Sequence, residues 1–383
     1  MAKVLLVDTN FSSSPIVREM RGLGHEVHVV GGNPLDCLAK QSSNYWPINY
    51  ANVEALQALV DREKFDFVVP GCTDRSYETC TLLSGRHWPG IDLPQSSQIL
   101  NNKGLFKKWA KRAGVPVALA QFSDADDLHW PLIVKPVDAY SGKGITVLQR
   151  SDASGLADAI AYAKQASPTS EFLIEDFVEG QLYSHSAFLR GHRVVQDFIV
   201  REDHTINPFV VDTSCLDRDF PEVMRARIRD CVETVSHELG LVDGLIHTQF
   251  IQKDDGFWFI ELTRRCPGDL YSQLIELSTG YPYTQAYALP FLGNQTIPNL
   301  TILESQYIMR HTVTVDTARF FGHLHFRQPV FIERWVALSL VGDPIQPSPV
   351  SRIGIIFSKA KNESEFARIY ESTLSRQLYT VID

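Results

Sequence analysis

The chain has 383 residues, 44% of them apolar, and a formal net charge of −9 from 36 Lys+Arg against 45 Asp+Glu. At roughly 100–200 residues per domain, that length holds two or three domains with cores of their own. The acidic balance, without any basic block, argues against nucleic acid as the main partner, and no apolar run approaches the ~18 residues of a membrane span. The six cysteines, at 37, 72, 80, 215, 231 and 266, form no C-x-x-C pair and read as reduced thiols rather than a disulfide framework or zinc site. The first apolar run meets Asp8 too soon for a signal peptide, so a cytoplasmic protein is expected.

Residues 3–7 (Lys-Val-Leu-Leu-Val) predict a buried parallel strand. After a Ser-rich loop, Pro15 marks a first helical turn, and Ile16, Val17, Met20 and Leu23 follow at helical spacing to a stop at Gly24. A second strand over 25–30, a helix near 52–63 and a strand over 65–70 complete a βαβ pattern. The first hundred residues therefore predict a small doubly wound parallel α/β domain. Ligands of such domains sit at the carboxyl ends of the strands, where the loops at 8–14 and 71–78 offer Asn10, Asp74 and Arg75. The same residue types cap helices, and the two readings weigh equally.

A helix over 102–113 ends at Gly114, before Val115-Pro116. Residues 120–200 carry short strands, Gly-rich turns and one helix over 152–165, an α+β pattern. A helix over 221–239 leads to strands over 245–252 and 256–262, joined by the hairpin turn Lys253-Asp254-Asp255-Gly256. Residues 268–279 predict a helix stopped by Gly280; beyond 300 come strand runs over 329–340 and 352–358 and a last helix over 362–376.

Three stretches carry the chemistry. In the first, the apolar strand Leu132-Ile-Val ends in Lys135 and runs into Ser141-Gly142-Lys143-Gly144. Glycines let backbone N–H groups approach phosphate oxygens, and the lysine supplies a point charge for them. No Walker loop is present, and a Gly-Lys-Gly turn alone is usually only a hairpin. In the second, the strand Phe172-Leu-Ile ends in Glu175, a carboxylate suited to an adenine amino group, although alone it reads as a solvated strand edge. In the third, strand alternation puts Glu261, Thr263 and Arg265 on one face, and antiparallel pairing brings Gln249 opposite them. A carboxylate with neutral oxygens suits a hard cation, and the arginine suits an anionic substrate or a transferring phosphoryl group.

In this order the three stretches, with Lys103 ahead of them and the α/β domain before that, resemble the ATP-grasp superfamily over nearly the whole chain. The likeness is to carboxylate–amine ligases, including L-amino acid ligases, and to the fold of biotin carboxylase and carbamoyl-phosphate synthetase. The resemblance implies an α/β N-terminal domain over 1–100 followed by α+β ATP-grasp domains. These are a nucleotide-binding and catalytic region over 101–300, with a lid subdomain at about 120–185, and a C-terminal subdomain over 301–383 that completes the core. It implies ATP and Mg2+, small-molecule carboxylate and amine substrates, no nucleic acid or membrane, and room for a homodimer. Lys103 and Lys135 match the two nucleotide lysines, Ser141, Gly142, Lys143 and Gly144 the phosphate loop, and Glu175 the adenine-binding acid, with linker contacts from Phe177 and Val178. Glu261, Gln249 and Thr263 match metal ligands. Arg265 matches the arginine that stabilises an acyl phosphate or tetrahedral intermediate.

The chain also departs from the family. Gln249 stands where a glutamate is usual, Thr263 where an asparagine is, and Leu182 where an acid often precedes Tyr183-Ser184. One metal carboxylate is thereby lost, and Asp269 is a candidate to restore its charge; Gln249→Glu is expected to lower the magnesium requirement. Two other readings stay open: a nucleotide-binding module without catalysis, and a carboxylase-like enzyme using bicarbonate. The dispersed histidines, His185, His247, His311, His323 and His325, read as structural, with His247 the one to test because it shares a strand with Gln249.

Overall fold

The structure, a computed structural model, describes residues 1–121, 128–139, 142–294, 296–298 and 305–383. Its first sheet is parallel, with strands in the order Tyr45–Trp46, Glu26–Val30, Lys3–Val7, Phe67–Pro70. Helices cover it, so its strands are apolar on both faces; Val4, Leu5, Leu6 and Val7 are all fully buried. Pro15 opens the helix Ser14–Gly22, and Asn52 caps Val53–Glu63 by accepting from the N–H of Ala55. Strand Phe67–Pro70 leads into the helix Asp74–Thr81, where the Thr73 side chain caps the N–H of Ser76 and sets Asp74 in the first turn.

A second, antiparallel sheet orders Ala120–Gln121, Phe172–Asp176, Leu132–Pro136 and Thr146–Leu148. The helix Leu156–Ala166 packs on it, and Leu132, Val134, Leu148, Ala159, Ala163 and Ile174 form a small core of their own. Alternation turns Lys135 and Glu175 to the other face. The helix begins later than residue 152 because a 3-10 segment, Arg150–Gly155, precedes it.

The third sheet has eight antiparallel strands in the order Gly256–Thr263, Gly244–Lys253, Gln181–Arg190, Arg193–Asp203, Thr213–Leu216, Tyr307–Val313, Gly354–Ala360, Phe331–Ala337. Residues beyond 300 thus share a sheet with the 181–263 strands. One face sends Phe188, Phe198, Val200, Ile308, Ile355 and Phe357 into a core continuous with the N-terminal sheet. The other sends Tyr183, Ala187, Leu189 and Ile199 against the helix Glu222–Glu238. The helix expected from residue 268 starts at Tyr271, since Asp269 and Leu270 take left-handed φ values of 54° and 58°. All six cysteines are free, and among the described residues no helix is long and apolar enough to cross a membrane.

Candidate active site

The second sheet delivers a buried charge cluster. Lys135 and Glu175 lie diagonally across neighbouring strands, and their side chains meet at 2.8 Å from Nζ to Oε2. Lys107, from the helix Lys103–Ala113, reaches the same oxygen at 3.1 Å and also donates to the carbonyl of Ala118 at 3.1 Å. All three side chains are buried, at 8%, 2% and 6% exposure for Lys135, Glu175 and Lys107. Burial pushes the Lys107 ammonium down to about 8, the nearby Glu175 charge opposing that fall and Lys135 adding to it. Two lysines on one oxygen leave Glu175 Oε1 buried and, among the described residues, without a hydrogen-bond partner.

Lys103, at the first turn of that helix, donates to the carbonyl of Ala139 at 3.2 Å and lies 3.8 Å from Glu261. Beyond Ala139, Gly142 and Gly144 take φ values of 71° and 74°, and a Cβ on Gly144 would sit 2.5 Å from that of Ala166. The turn needs glycine there for both conformation and space. Lys143 between them is exposed, while Ser141 lies outside the described residues. The N–H of Phe177 donates to the carbonyl of Pro131 at 3.0 Å, so Phe177 does not offer that donor to a ring edge in this conformation.

The hairpin contains a feature the sequence reading did not include. From the turn, Lys253 pairs with Gly256, Gln252 with Phe257 and Phe250 with Phe259; then the register shifts, and Gln249 pairs with Glu261. Ile260 is the extra residue of a β-bulge, which re-aims the strand. Phe257 and Phe259 point into the core, and after the bulge Leu262 does. Glu261 consequently turns to the opposite face, beside Gln249, and Thr263 follows it. An unbroken register would have set Gln249 against Ile260.

On that face, side chains from successive strands form a polar row. Gln249 Nε2 donates to Glu202 Oε2 at 2.6 Å, across the strand that separates them. Burial pushes the Glu202 carboxyl up to about 7, against the pull of its hydrogen bonds from Ser184 and Gln249. Farther along the row, Arg310 donates to Ser214 Oγ at 3.0 Å and to the backbone carbonyl of Asp269 at 2.6 Å. Asp269 itself is engaged by Arg352 and, at 3.5 Å, by Arg310, so its charge answers those arginines. Among the described residues no three His, Cys, Asp or Glu side chains gather as a metal site. The hairpin's own set is one carboxylate, Glu261, with the neutral oxygens of Gln249 and Thr263.

Arg265 is held from the N-terminal domain. Asp74 takes it in a two-pronged pair, Nε to Oδ1 at 3.0 Å and Nη2 to Oδ2 at 3.1 Å, and accepts from Thr263 Oγ1 at 2.9 Å. Burial alone would raise the Asp74 pKa, but the charge and hydrogen bonds of Arg265 hold it below the usual carboxylate range. His247 lies beside this group with Nδ1 2.8 Å from Ser186 Oγ; burial and the Arg265 charge push its pKa well below the ordinary value, which keeps it neutral. His185, on the opposite face, pairs with Asp197, which Arg225 and Arg229 also bind. His323 and His325 are exposed.

Four residues escaped the sequence reading: Lys107, Glu202, Arg310 and Arg352. Glu202 had a signal, as a charged residue continuing the inward alternation of Phe198 and Val200. Lys107 is one of several lysines on its helix, and nothing local distinguishes it.

Residues 128–273 match the family model of an ATP-grasp domain. The formate-dependent phosphoribosylglycinamide formyltransferase of Pseudomonas fluorescens (strain Pf0-1) is 24% identical over 274 residues, 69% of this chain and 69% of its own length. Among solved structures, L-amino acid ligase from Bacillus licheniformis superposes with a TM-score of 0.77 at 17% identity, covering 100% of this chain and 99% of that one. The biotin carboxylase domain of the Hydrogenobacter thermophilus 2-oxoglutarate carboxylase, solved with MgADP, ADP and bicarbonate, has a TM-score of 0.75 at 15% identity, covering 100% and 91%. At such identities the structural likeness is one of fold.

Proposed function

From a chain that carries an ATP-grasp domain, we propose an ATP-dependent ligase that activates a carboxylate as an acyl phosphate and joins it to an amine. One observation carries the reading: Lys103 touches both the backbone leading into the glycine turn and Glu261, at 3.2 and 3.8 Å. That contact joins the side suited to phosphates to the side suited to a cation.

The residues fit a nucleotide with a divalent cation. Among the described residues Glu175 Oε1 is a buried acceptor without a donor, the demand an exocyclic amino group meets. Lys103, Lys135 and the loop from Ser141 to Gly144 would hold phosphates, and Phe177 and Val178 would line the ring. Glu261, Gln249 and Thr263 would face Mg2+, which when bound neutralises phosphate charge. Asp74 fixes Arg265 in the orientation needed to meet a developing negative charge on the acyl phosphate.

A carboxylate oxygen is a poor leaving group, so amide formation needs phosphoryl activation followed by displacement of phosphate. Positioning and charge neutralisation do most of that work. Arg310 and Arg352, shared over the single carboxylate of Asp269, leave positive charge for an anionic substrate. Of the relatives, one is named as formate-dependent, one as an L-amino acid ligase, and one was solved with bicarbonate. The organisation as a 1–100 domain, a 101–300 catalytic region and a 301–383 subdomain, a homodimeric state and a cytoplasmic location belong to the same proposal. The test is release of ADP and phosphate with ATP, Mg2+ and paired panels of small acids and amines. Release that requires one acid and one amine together supports the reading. Release that responds to neither, across panels that include formate, bicarbonate and the amino acids, counts against it.

A further inference from the structure

The row on the large sheet holds a second carboxylate that the hairpin lacks. Glu202 belongs to the strand Arg193–Asp203, and the strand Gln181–Arg190 lies between it and Gln249. Alternation puts Phe198, Val200 and Glu202 on one face, the first two in the core at 4% and 0% exposure. A glutamate at 5% exposure interrupts that apolar run. Burying a carboxylate is costly unless it is paired, hydrogen-bonded or metal-bound. Glu202 receives neutral donors, Gln249 and Ser184, and feels the charge of Arg310, but among the described residues no lysine or arginine comes within ion-pair distance of it. Glu261 is the register partner of Gln249, so the side chain of Glu261 leaves the same face of the sheet as the amide that touches Glu202.

Gln249 explains the arrangement. Its Nε2 is committed to Glu202 at 2.6 Å, so its Oε1 is directed away from that acid. A glutamate at 249 would offer no N–H and would set an acceptor against the Glu202 oxygen that the amide now donates to. The amide and the buried acid therefore belong together.

We propose that Glu202 supplies the second carboxylate facing the divalent cation, with Gln249 as the amide that orients it. The loss of charge at 249 is then a relocation by two strands, and Asp269 is not needed to restore it. This inference rests on the reading of the site as one for a nucleotide with a divalent cation. It also reverses the expectation for Gln249→Glu: that substitution sets acid against acid and weakens the cation site unless Glu202 is changed with it.

The test measures Mn2+ binding by electron paramagnetic resonance in the presence of ADP, alongside ADP affinity without metal and the far-UV circular dichroism spectrum. Glu202→Gln keeps size and shape. It should weaken Mn2+ binding by about tenfold or more, the scale seen when a metal site loses a supporting group, and leave metal-free ADP affinity and the spectrum unchanged. Unchanged Mn2+ affinity in the folded variant overturns the proposal. Should Glu202→Gln not fold, the exchange variant Glu202→Gln/Gln249→Glu keeps one acid and one amide in the same contact. Mn2+ affinity within about threefold of wild type then supports the relocation, and its loss overturns it. Wild type that binds neither ADP nor Mn2+ with ADP refutes the reading of the site itself, a result distinct from either.

Discussion

Replacing Asp74 by alanine should uncouple the N-terminal sheet and its helices from Arg265, the arginine proposed to meet the acyl phosphate. Asp74 accepts three hydrogen bonds, at 3.0 and 3.1 Å from Arg265 and 2.9 Å from Thr263. Bonds to a charged group contribute about 1.5–3 kcal/mol each but do not add, and breaking a buried ion pair costs about 3–5 kcal/mol. Both side chains keep 16% exposure, so water screens part of the loss and the lower end, about 3 kcal/mol, applies. The Asp74 pKa is held low, so this stability is fully present above the ordinary carboxylate value and lost only as pH falls through the lower folded value. Measurements at pH 7 therefore see all of it. The assay is urea unfolding of wild type, Asp74→Ala, Arg265→Ala and the double variant. The cycle should give a coupling of about 2–3 kcal/mol. In the ligase assay, Asp74→Ala should lower kcat far more than it raises KM for ATP. A coupling below about 0.5 kcal/mol, the noise of independent sites, would show that the pair in the structure does no energetic work and that Arg265 is not oriented by Asp74.

Lys135→Ala should lower ATP turnover by about two orders of magnitude or more, since it removes a charge proposed to hold phosphate; Lys107 still pairs Glu175 at 3.1 Å, so the circular dichroism spectrum should be unchanged. Activity equal to wild type would contradict the nucleotide assignment. Glu261→Gln should abolish Mg2+-dependent turnover, because Glu261 is the hairpin's one carboxylate at the proposed cation site; an unaltered Mg2+ titration would mean that it does not face the metal. His311 is buried between Thr213 and Tyr379, at 2.8 and 2.7 Å, and burial pushes its pKa down to about 4. A depressed folded pKa contributes stability that is present above the ordinary histidine value of about 6.5 and lost as pH falls through about 4. Over that window the wild type should lose on the order of 3 kcal/mol through this residue. His311→Asn should show a correspondingly shallower decline in urea midpoint, and parallel pH profiles would reject the assignment.

Much of this architecture was legible because its signals are local. Pro15, Gly114 and Gly280 punctuate helices by backbone sterics that do not depend on the rest of the fold, and each stands at or next to a helix end as expected. The strand Lys3–Val7 read correctly because a parallel strand covered on both faces must be apolar throughout. The departures come from tertiary demands. Pro267-Gly268-Asp269 has turn character, but Leu270 carries no turn signature, yet it too adopts left-handed backbone and delays the helix to Tyr271. Ile260 is an unremarkable apolar residue, and only the completed pairing reveals it as the bulge that turns Glu261 beside Gln249. Asp74 was readable as a helix cap or a ligand; the structure places it in the first helical turn and in a pair with Arg265, 191 positions away. Glu202 was missed because its meaning depends on a partner two strands across the sheet, and sequence spacing does not report that neighbour.

The central claim is that a carboxylate oxygen is phosphorylated before the amine attacks. With the acid identified by the two-substrate assay and both its carboxylate oxygens labelled with 18O, the inorganic phosphate released during amide formation should carry one 18O atom per product molecule. Phosphate that carries none, while the amide forms and ADP is released in step with it, would contradict the acyl phosphate and with it the account given of Arg265 and the lysines around Glu175.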